Sequence, residues 1–282
     1  MEDFRKYYAS PGIMTDPGKH GTLFDGLPYD VPSLCGIVQG LIIHVHWAER
    51  YEEKLSEERQ QETNLRMVSR QLERIIELNS SPLTTARPLS KRVVGTCRDY
   101  SLLLSAILRH QGVPARARCG FGTYFTPGQG EDHWTCEYWK ASEARWVTVD
   151  AQIDQFQRDA LNLTFDTCDM PEGKFLPAGK AWQLCRSGEA DPESFGIFDM
   201  HGMWFIGGNL VRDLLSLNKI ELLPWDGWGL MPEFKQPDFS AEYLECMDYV
   251  ASLTLAGNEA FSKVRSFYKN EERLKPPVDL EL

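Results

Sequence analysis

The stretch from Val94 to Asp150 constrains this chain more than any other. Gly95-Thr96-Cys97-Arg98-Asp99-Tyr100 reads as a helix start, and Tyr100, Leu103, Leu104, Ile107 and Leu108 then recur at three and four residues. That period puts one broad apolar face on a helix from Cys97 to about His110. Gln111-Gly112-Val113-Pro114 stops it, because Gly suits the position after a helix end and Pro cannot continue one. Strand-like segments follow at Arg116 to Tyr124, His133 to Trp139 and Arg145 to Val149, the first two separated by the loop Thr126 to Glu131. A helix followed by short strands joined by turns implies α+β with an antiparallel sheet.

The flanks are less regular. Residues 1 to 32 carry Ser10-Pro11-Gly12, Asp16-Pro17-Gly18 and Asp25-Gly26, a succession of turns. The aromatics Tyr7, Tyr8, Phe24 and Tyr29 make this an arm expected to lie over the main body. Ser33 after Pro32 is the expected N-cap of one long helix, apolar through His44-Val45-His46-Trp47 and charged as far as Glu62. A second helix from Thr63 to Leu78 aligns Leu65, Val68, Leu72, Ile75 and Ile76, and ends at Asn79-Ser80-Ser81-Pro82. Beyond Asp150, helices are expected at Val211 to Asn218 and Ser240 to Leu255, with a frayed tail at Leu274-Lys275-Pro276-Pro277. The expected division is an N-terminal arm and helix over 1–62, a catalytic core over 63–155, and a C-terminal extension over 156–282 packing on that core as one unit.

Composition narrows the function classes. A net charge of −11 argues against a nucleic-acid binder, since phosphate affinity needs clustered Lys and Arg. The longest apolar stretch, around Leu41 to Val45, is far short of the ~18 residues of a membrane span. Met1 to Lys6 is acidic with no apolar run after it, so no signal peptide is expected. Seven cysteines with no CxxC pair read as reduced thiols, and the expected location is the cytoplasm.

Cys97, His133 and Asp150 each stand at the edge of a regular element. A sulfur at a helix start lies beside backbone N–H groups and the positive end of the helix dipole, which favour a thiolate and can hold an oxyanion. Gly95 gives a substrate backbone room to approach. His133 would take the thiol proton and Asp150 would orient its ring. On residue types alone a packed Cys, a strand His and a turn Asp remain equally open. Asp99 either orients a substrate amine, pairs with Arg98 or Arg116, or complements the dipole. Thr135 and Glu137 share His133's strand face, and Tyr124 with the loop through Glu131 forms a rim. His44-Val45-His46 is not expected to hold a metal: on a helix the two rings diverge, though on a strand they could chelate, and with no cluster of ligand spacing beside them the expectation is buried histidines lining a pocket. Trp204, Trp225 and Trp228 are either core or the wall of a substrate pocket.

Gly95-Thr96-Cys97, the apolar helix and Gly112-Val113-Pro114-Ala115-Arg116 resemble the nucleophile helix of the transglutaminase-like superfamily. His133-Trp134-Thr135-Cys136-Glu137 is similar to that family's histidine strand, and Trp146-Val147-Thr148-Val149-Asp150-Ala151 to its strand ending in Asp. The resemblance covers roughly residues 65 to 155. It implies a papain-like core with Cys97 as nucleophile, His133 as base and Asp150 as orienting acid. Thr96, Asp99, Tyr124 and Trp134 are the expected substrate-binding residues. Arg98 stands where calcium-dependent members carry Trp, so the chain looks like the bacterial-type branch and neither calcium nor protein cross-linking is implied. The implied reaction is hydrolysis of, or acyl transfer from, a small-molecule or peptide amide or a thioester, without cofactor, nucleic acid or membrane. Two other readings compete: a non-catalytic binding or scaffold protein on the same fold, and a metal-dependent hydrolase.

Overall fold

The computed structural model describes residues 3–232 and 239–277. In chain order the helices are α1 Phe4–Tyr8, α2 Val31–Leu41, α3 Glu57–Gln60, α4 Val68–Leu78, α5 Cys97–His110, α6 Gln155–Ala160, α7 Ala178–Arg186, α8 Met203–Ser216, α9 Ala241–Leu255 and α10 Phe261–Asn270. The strands are β1 Ile42–His44, β2 Val93–Gly95, β3 Ala115–Gly122, β4 Gly130–Lys140, β5 Arg145–Val149, β6 Phe175–Pro177, β7 Phe195–Ile197 and β8 Met200–His201. The class is α+β. Contacts divide the chain into two units, one comprising Arg5–Ala117 with Thr135–Met170, the other residues 3–4 and 118–134 with the described residues from 171 onward. Strands β3 and β4 run from one unit into the other.

In the first unit α5 is the central helix. Its apolar residues Tyr100, Leu103, Leu104, Ile107 and Leu108 share a core with Met14, Phe24, Leu34, Val38, Leu72, Ile75, Val147 and Val149. Each such side chain contributes about 1.5–3 kcal/mol through burial. The helix is buried from Cys97 to Arg109 on every side, not on one face. Its polar residues are therefore bonded: Arg109 donates from Nε to the Ala115 carbonyl (2.9 Å) and from Nη1 to Thr15 Oγ1 (2.7 Å). Thr15, Met14 and Phe24 come from the N-terminal stretch, which contains α1 and a 3-10 turn at Gly18–Phe24 as well as bends.

Three expectations here are corrected. The N-cap of α2 is Asp30, whose carboxylate accepts from the Ser33 N–H (2.9 Å), with Pro32 in the first turn where its missing N–H costs nothing. The long helix from Ser33 to Glu62 does not exist. It stops at Leu41, and Ile42-Ile43-His44 pairs in parallel with Val93-Val94-Gly95, a partner that lies far along the chain. The far side of β2 is closed by Glu62, which accepts the Val94 N–H (2.8 Å) while pairing with Arg59 and Arg74 (2.8 Å each). The next helix begins at Val68 and not Thr63, since Gln61–Asn64 form a 3-10 turn.

Beside α5, the end of β4 pairs antiparallel with β5 in the register Cys136↔Val149 to Lys140↔Arg145. The Trp139 N–H bonds the Pro114 carbonyl (2.8 Å) where β3 begins. Arg116 pairs with Glu137 (2.6 Å) and lies over the Trp146 ring (4.0 Å), so the charge on this face is satisfied and stacked.

In the second unit the strands order β6-β3-β4-β7-β8. β6 and β8 join antiparallel, but β7 joins β4 in parallel through Gly130↔Phe195 and Glu131↔Gly196. The sheet is thus mixed, because α6 and α7 lie between β4 and β7 and carry the chain across. Helices α7, α8 and α9 pack on one another. Asp213 of α8 holds β3: its Oδ1 accepts from Arg118 Nε (2.8 Å) and the Cys119 N–H (3.0 Å), its Oδ2 from Arg118 Nη2 (2.8 Å). Leu274, expected in a frayed tail, is fully buried at the end of a 3-10 turn.

Gly120 lies so close to β6 that an added Cβ would stand 2.2 Å from the Leu176 carbonyl oxygen and 2.8 Å from the Pro177 Cα. Backbone cannot step aside as a side chain can. Gly120→Ala is expected to lower stability by about 1–3 kcal/mol, read from the urea midpoint; an unchanged midpoint would contradict this packing.

Candidate active site

Cys97 occupies the first helical position of α5 after the cap residue Thr96. The turn before it is set by Asp99. This buried carboxylate accepts the Thr96 N–H (2.7 Å) and the Thr96 hydroxyl (3.2 Å) on Oδ2, and Gln71 Nε2 (2.8 Å) and Arg98 Nη1 (2.9 Å) on Oδ1. A first-turn acid reaching back to the cap N–H closes the helix start from the side-chain direction. Burial pushes the Asp99 carboxyl above its ordinary range, opposed by Arg98 and by the Thr96 bonds. Arg98 is itself fully buried and donates onward from Nη2 to the Arg66 carbonyl (2.6 Å).

A Cβ at Gly95 would lie 3.0 Å from the Asp99 side chain and 3.1 Å from Ile42 Cγ2. The missing side chain makes room for the folded-back carboxylate. Cys97 is 7% exposed and is not in a disulfide.

Asp150 stands immediately after β5 in the same unit as Cys97. Its N–H bonds the Thr167 carbonyl (2.8 Å), and its Oδ1 accepts the Gln152 N–H (3.0 Å). Gln39 of α2 holds the following turn through the Ala151 (3.2 Å) and Ile153 (3.1 Å) carbonyls. The carboxylate therefore leaves the end of β5 in a fixed direction.

His133 lies on β4 in the other unit and is 2% exposed. The Phe125 ring meets it edge-on at 4.9 Å between centroids, and the Tyr124 ring at 6.0 Å. Of the expected rim, Tyr124 is thus beside the histidine, and Phe125, which the sequence reading passed over, is nearer. Trp134 alternates to the opposite face of the strand and is fully buried, with no hydrogen-bond partner for its Nε1 among the described residues. Asp132 accepts from Asn209 Nδ2 (2.7 Å), and Arg212 supports Asn209 (3.1 Å). Burial pushes the Asp132 carboxyl upward, opposed by the Asn209 bond and by the charges of Arg212 and His133. Asn209 lies ahead of Val211, where this helix was expected to begin, and nothing local marks Arg212 within it.

The remaining candidates have structural partners. Glu137 pairs with Arg116, and Thr135 is fully buried. His201 belongs to the β7–β8 hairpin, where its Nε2 meets the Phe198 carbonyl (2.8 Å). Trp225 is exposed, while Trp204 packs edge-on against Phe205. Among the described residues no three His, Cys, Asp or Glu side chains gather as a metal cage, and no helix is long and apolar enough to cross a membrane.

Asp99→Ala removes the acceptor of four donors and strands a buried guanidinium. The expected loss is about 3–5 kcal/mol, measured by urea denaturation; a loss below about 1 kcal/mol would mean that the carboxylate does not hold this turn.

Residues 48–151 match the sequence profile described as transglutaminase-like superfamily. A solved structure from Cytophaga hutchinsonii, provisionally described as a cysteine protease, is 16% identical with a TM-score of 0.34. That match covers 54% of this chain and 43% of the other. No curated protein matches the chain.

Proposed function

We propose, from the match of residues 48–151 to the transglutaminase-like superfamily profile, that this chain is a cysteine-nucleophile hydrolase or acyltransferase. At family level the reading is a cysteine-type enzyme. The finer assignment gives Cys97, His133 and Asp150 the roles of nucleophile, base and orienting acid. The observation that carries it is the position of Cys97 at the first residue of a well-capped, fully buried helix inside the matching segment.

Four orphan N–H groups begin every α-helix, and their aligned dipoles favour negative charge there. A thiol at the first position is therefore easier to ionise, and the thiolate is the attacking species. His133 takes the thiol proton. The Cys97 sulfur adds to the carbonyl carbon of an amide or thioester, and the carbonyl oxygen takes the negative charge. Collapse of that adduct breaks the bond to the leaving group, which departs with the proton held by His133, and leaves a thioester on Cys97. Water or an amine then attacks the thioester, giving up its proton to His133, and the sulfur departs. Asp150 accepts from the second imidazole nitrogen and keeps the ring in the required tautomer. Water is always at hand, so hydrolysis is the default outcome. The proposed substrate is a small-molecule or peptide amide, and the proposed location is the cytoplasm.

Brief exposure to iodoacetamide at mildly acidic pH, read as intact mass, tests the assignment. One fast adduct on Cys97, slowed at least tenfold by His133→Ala, is the expected result. Labelling at the rate of an ordinary thiol would remove the activated nucleophile. Incubation with candidate amides or thioesters should likewise leave an acyl mass on Cys97 and none on Cys97→Ala.

A further inference from the structure

A substrate oxygen that turns negative under attack needs a hydrogen-bond donor facing it, and the parallel pair β1–β2 supplies a candidate. Its register sets His44 opposite Gly95, and the Val45 N–H bonds the Gly95 carbonyl (2.9 Å). Partner Cα atoms in such a pair lie about 4.8 Å apart. His44 therefore runs beside the residue that begins Gly95-Thr96-Cys97, within the same unit as the nucleophile.

The side chain's direction follows from three contacts. Alternation puts His44 on the same face of β1 as Ile42. That face looks toward α5, because Ile42 and Asp99 fill the space where a Gly95 Cβ would point. The imidazole stacks on the ring of Tyr100 at 6.5 Å and 26°. Tyr100 stands three residues after Cys97, so the two share a helix face. Its hydroxyl is tied to the Ile42 carbonyl (3.0 Å), which fixes the stack. His44 thus sits on the first turn of the nucleophile helix and is 8% exposed.

One contact bears on its tautomer. His44 Nδ1 accepts the His46 N–H (3.2 Å), and the Trp47 N–H bonds the His44 carbonyl (3.0 Å), closing the turn. A neutral imidazole whose Nδ1 accepts must carry hydrogen on Nε2. His46, 5.6 Å away between ring centroids, is held below its ordinary pKa by burial, so at neutral pH it adds no charge beside His44. The sequence reading had these two histidines lining a pocket without a metal; the strand gives one of them a specific neighbour.

We propose that His44 is a further catalytic residue, whose Nε2–H donates to the substrate carbonyl oxygen while that oxygen carries negative charge under attack by Cys97. No proton is transferred; the hydrogen bond strengthens as charge develops and weakens as the thioester forms. A donor fixed by its turn and its ring stack, shielded from water, is effective because it needs no reorganisation at the moment of reaction. This rests on Cys97 being the nucleophile.

Two reagents separate the two claims. Iodoacetamide alkylates a thiolate by displacement and forms no oxyanion, whereas p-nitrophenyl acetate must pass through one. In the full chain, His44→Phe keeps a ring against Tyr100 without an N–H, and His44→Gln keeps an N–H without the ring. The expected result is alkylation of Cys97 within about twofold of the unsubstituted chain in both variants. Acetylation, read as p-nitrophenolate release with an acetyl mass on Cys97, is expected to fall roughly 100-fold in His44→Phe and to recover to within about tenfold in His44→Gln. Parallel loss of both rates, acetylation unchanged in His44→Phe, or no recovery in His44→Gln at an unaltered urea midpoint would each overturn the donor role. If His44→Phe does not fold, His44→Leu takes its place as the variant without a donor. A slow Cys97 in the unsubstituted chain would instead remove the nucleophile assignment on which the proposal stands.

Discussion

The buried carboxylate of Asp99 is the interaction on which the setting of Cys97 depends. Taking a carboxylate out of water costs several kcal/mol. Here four donors meet it, two from Thr96 and one each from Gln71 and Arg98. Hydrogen bonds to a charged group contribute about 1.5–3 kcal/mol each, so a full complement offsets the desolvation and a partial one does not. The consequence is geometric. Gln71 belongs to α4 and Arg98 reaches the Arg66 carbonyl ahead of it, so the starts of two helices are fastened at one point. Gly95 must lack a side chain for this to close, and the same glycine lets β1 bring His44 alongside.

How much of this was legible depends on how local the cause was. The bounds of α5 are written in its own residues: a Cys-Arg-Asp start and a Gly-Val-Pro end, and the helix runs Cys97–His110 as read. Strand β5, Arg145–Val149, is equally local, its alternation being visible in five residues. By contrast, Ile42-Ile43-His44 continues an apolar helical pattern and becomes a strand only because Val93-Val94-Gly95 is there to pair with it. No window of sequence contains both. Strands β6, β7 and β8 are two or three residues long, too short to show a period. α8 was found late because Gly207 and Gly208 break its helical signal, although both are buried inside it.

The candidate site divides in the same way. Cys97 and Asp150 were visible because each ends or begins an element. His44 was visible only as half of a His-x-His pair, and its importance comes from a strand register. Phe125 lay next to the residue singled out, and nothing in its neighbours distinguished the ring that meets His133 from the one beside it. The expected antiparallel pairing holds for β4 with β5, β3 with β6 and β7 with β8, while β7 joins β4 in parallel because the connection passes through α6 and α7, neither of which was anticipated.

The bond between Arg118 and Asp213 joins residues 95 apart in the chain. At synthesis rates of about 5–20 residues per second, roughly 5–20 s pass between the emergence of the arginine and that of its partner. The acceptor from Thr254 arrives later still. During that interval the strand leading toward His133 carries a guanidinium destined for burial with nothing to neutralise it, so it has little reason to leave water. On the ribosome, the first unit can gather most of its core from early residues, whereas the histidine's surroundings wait for the C-terminal helices. The surroundings of His133 are thus the part of this fold that depends most on residues made late.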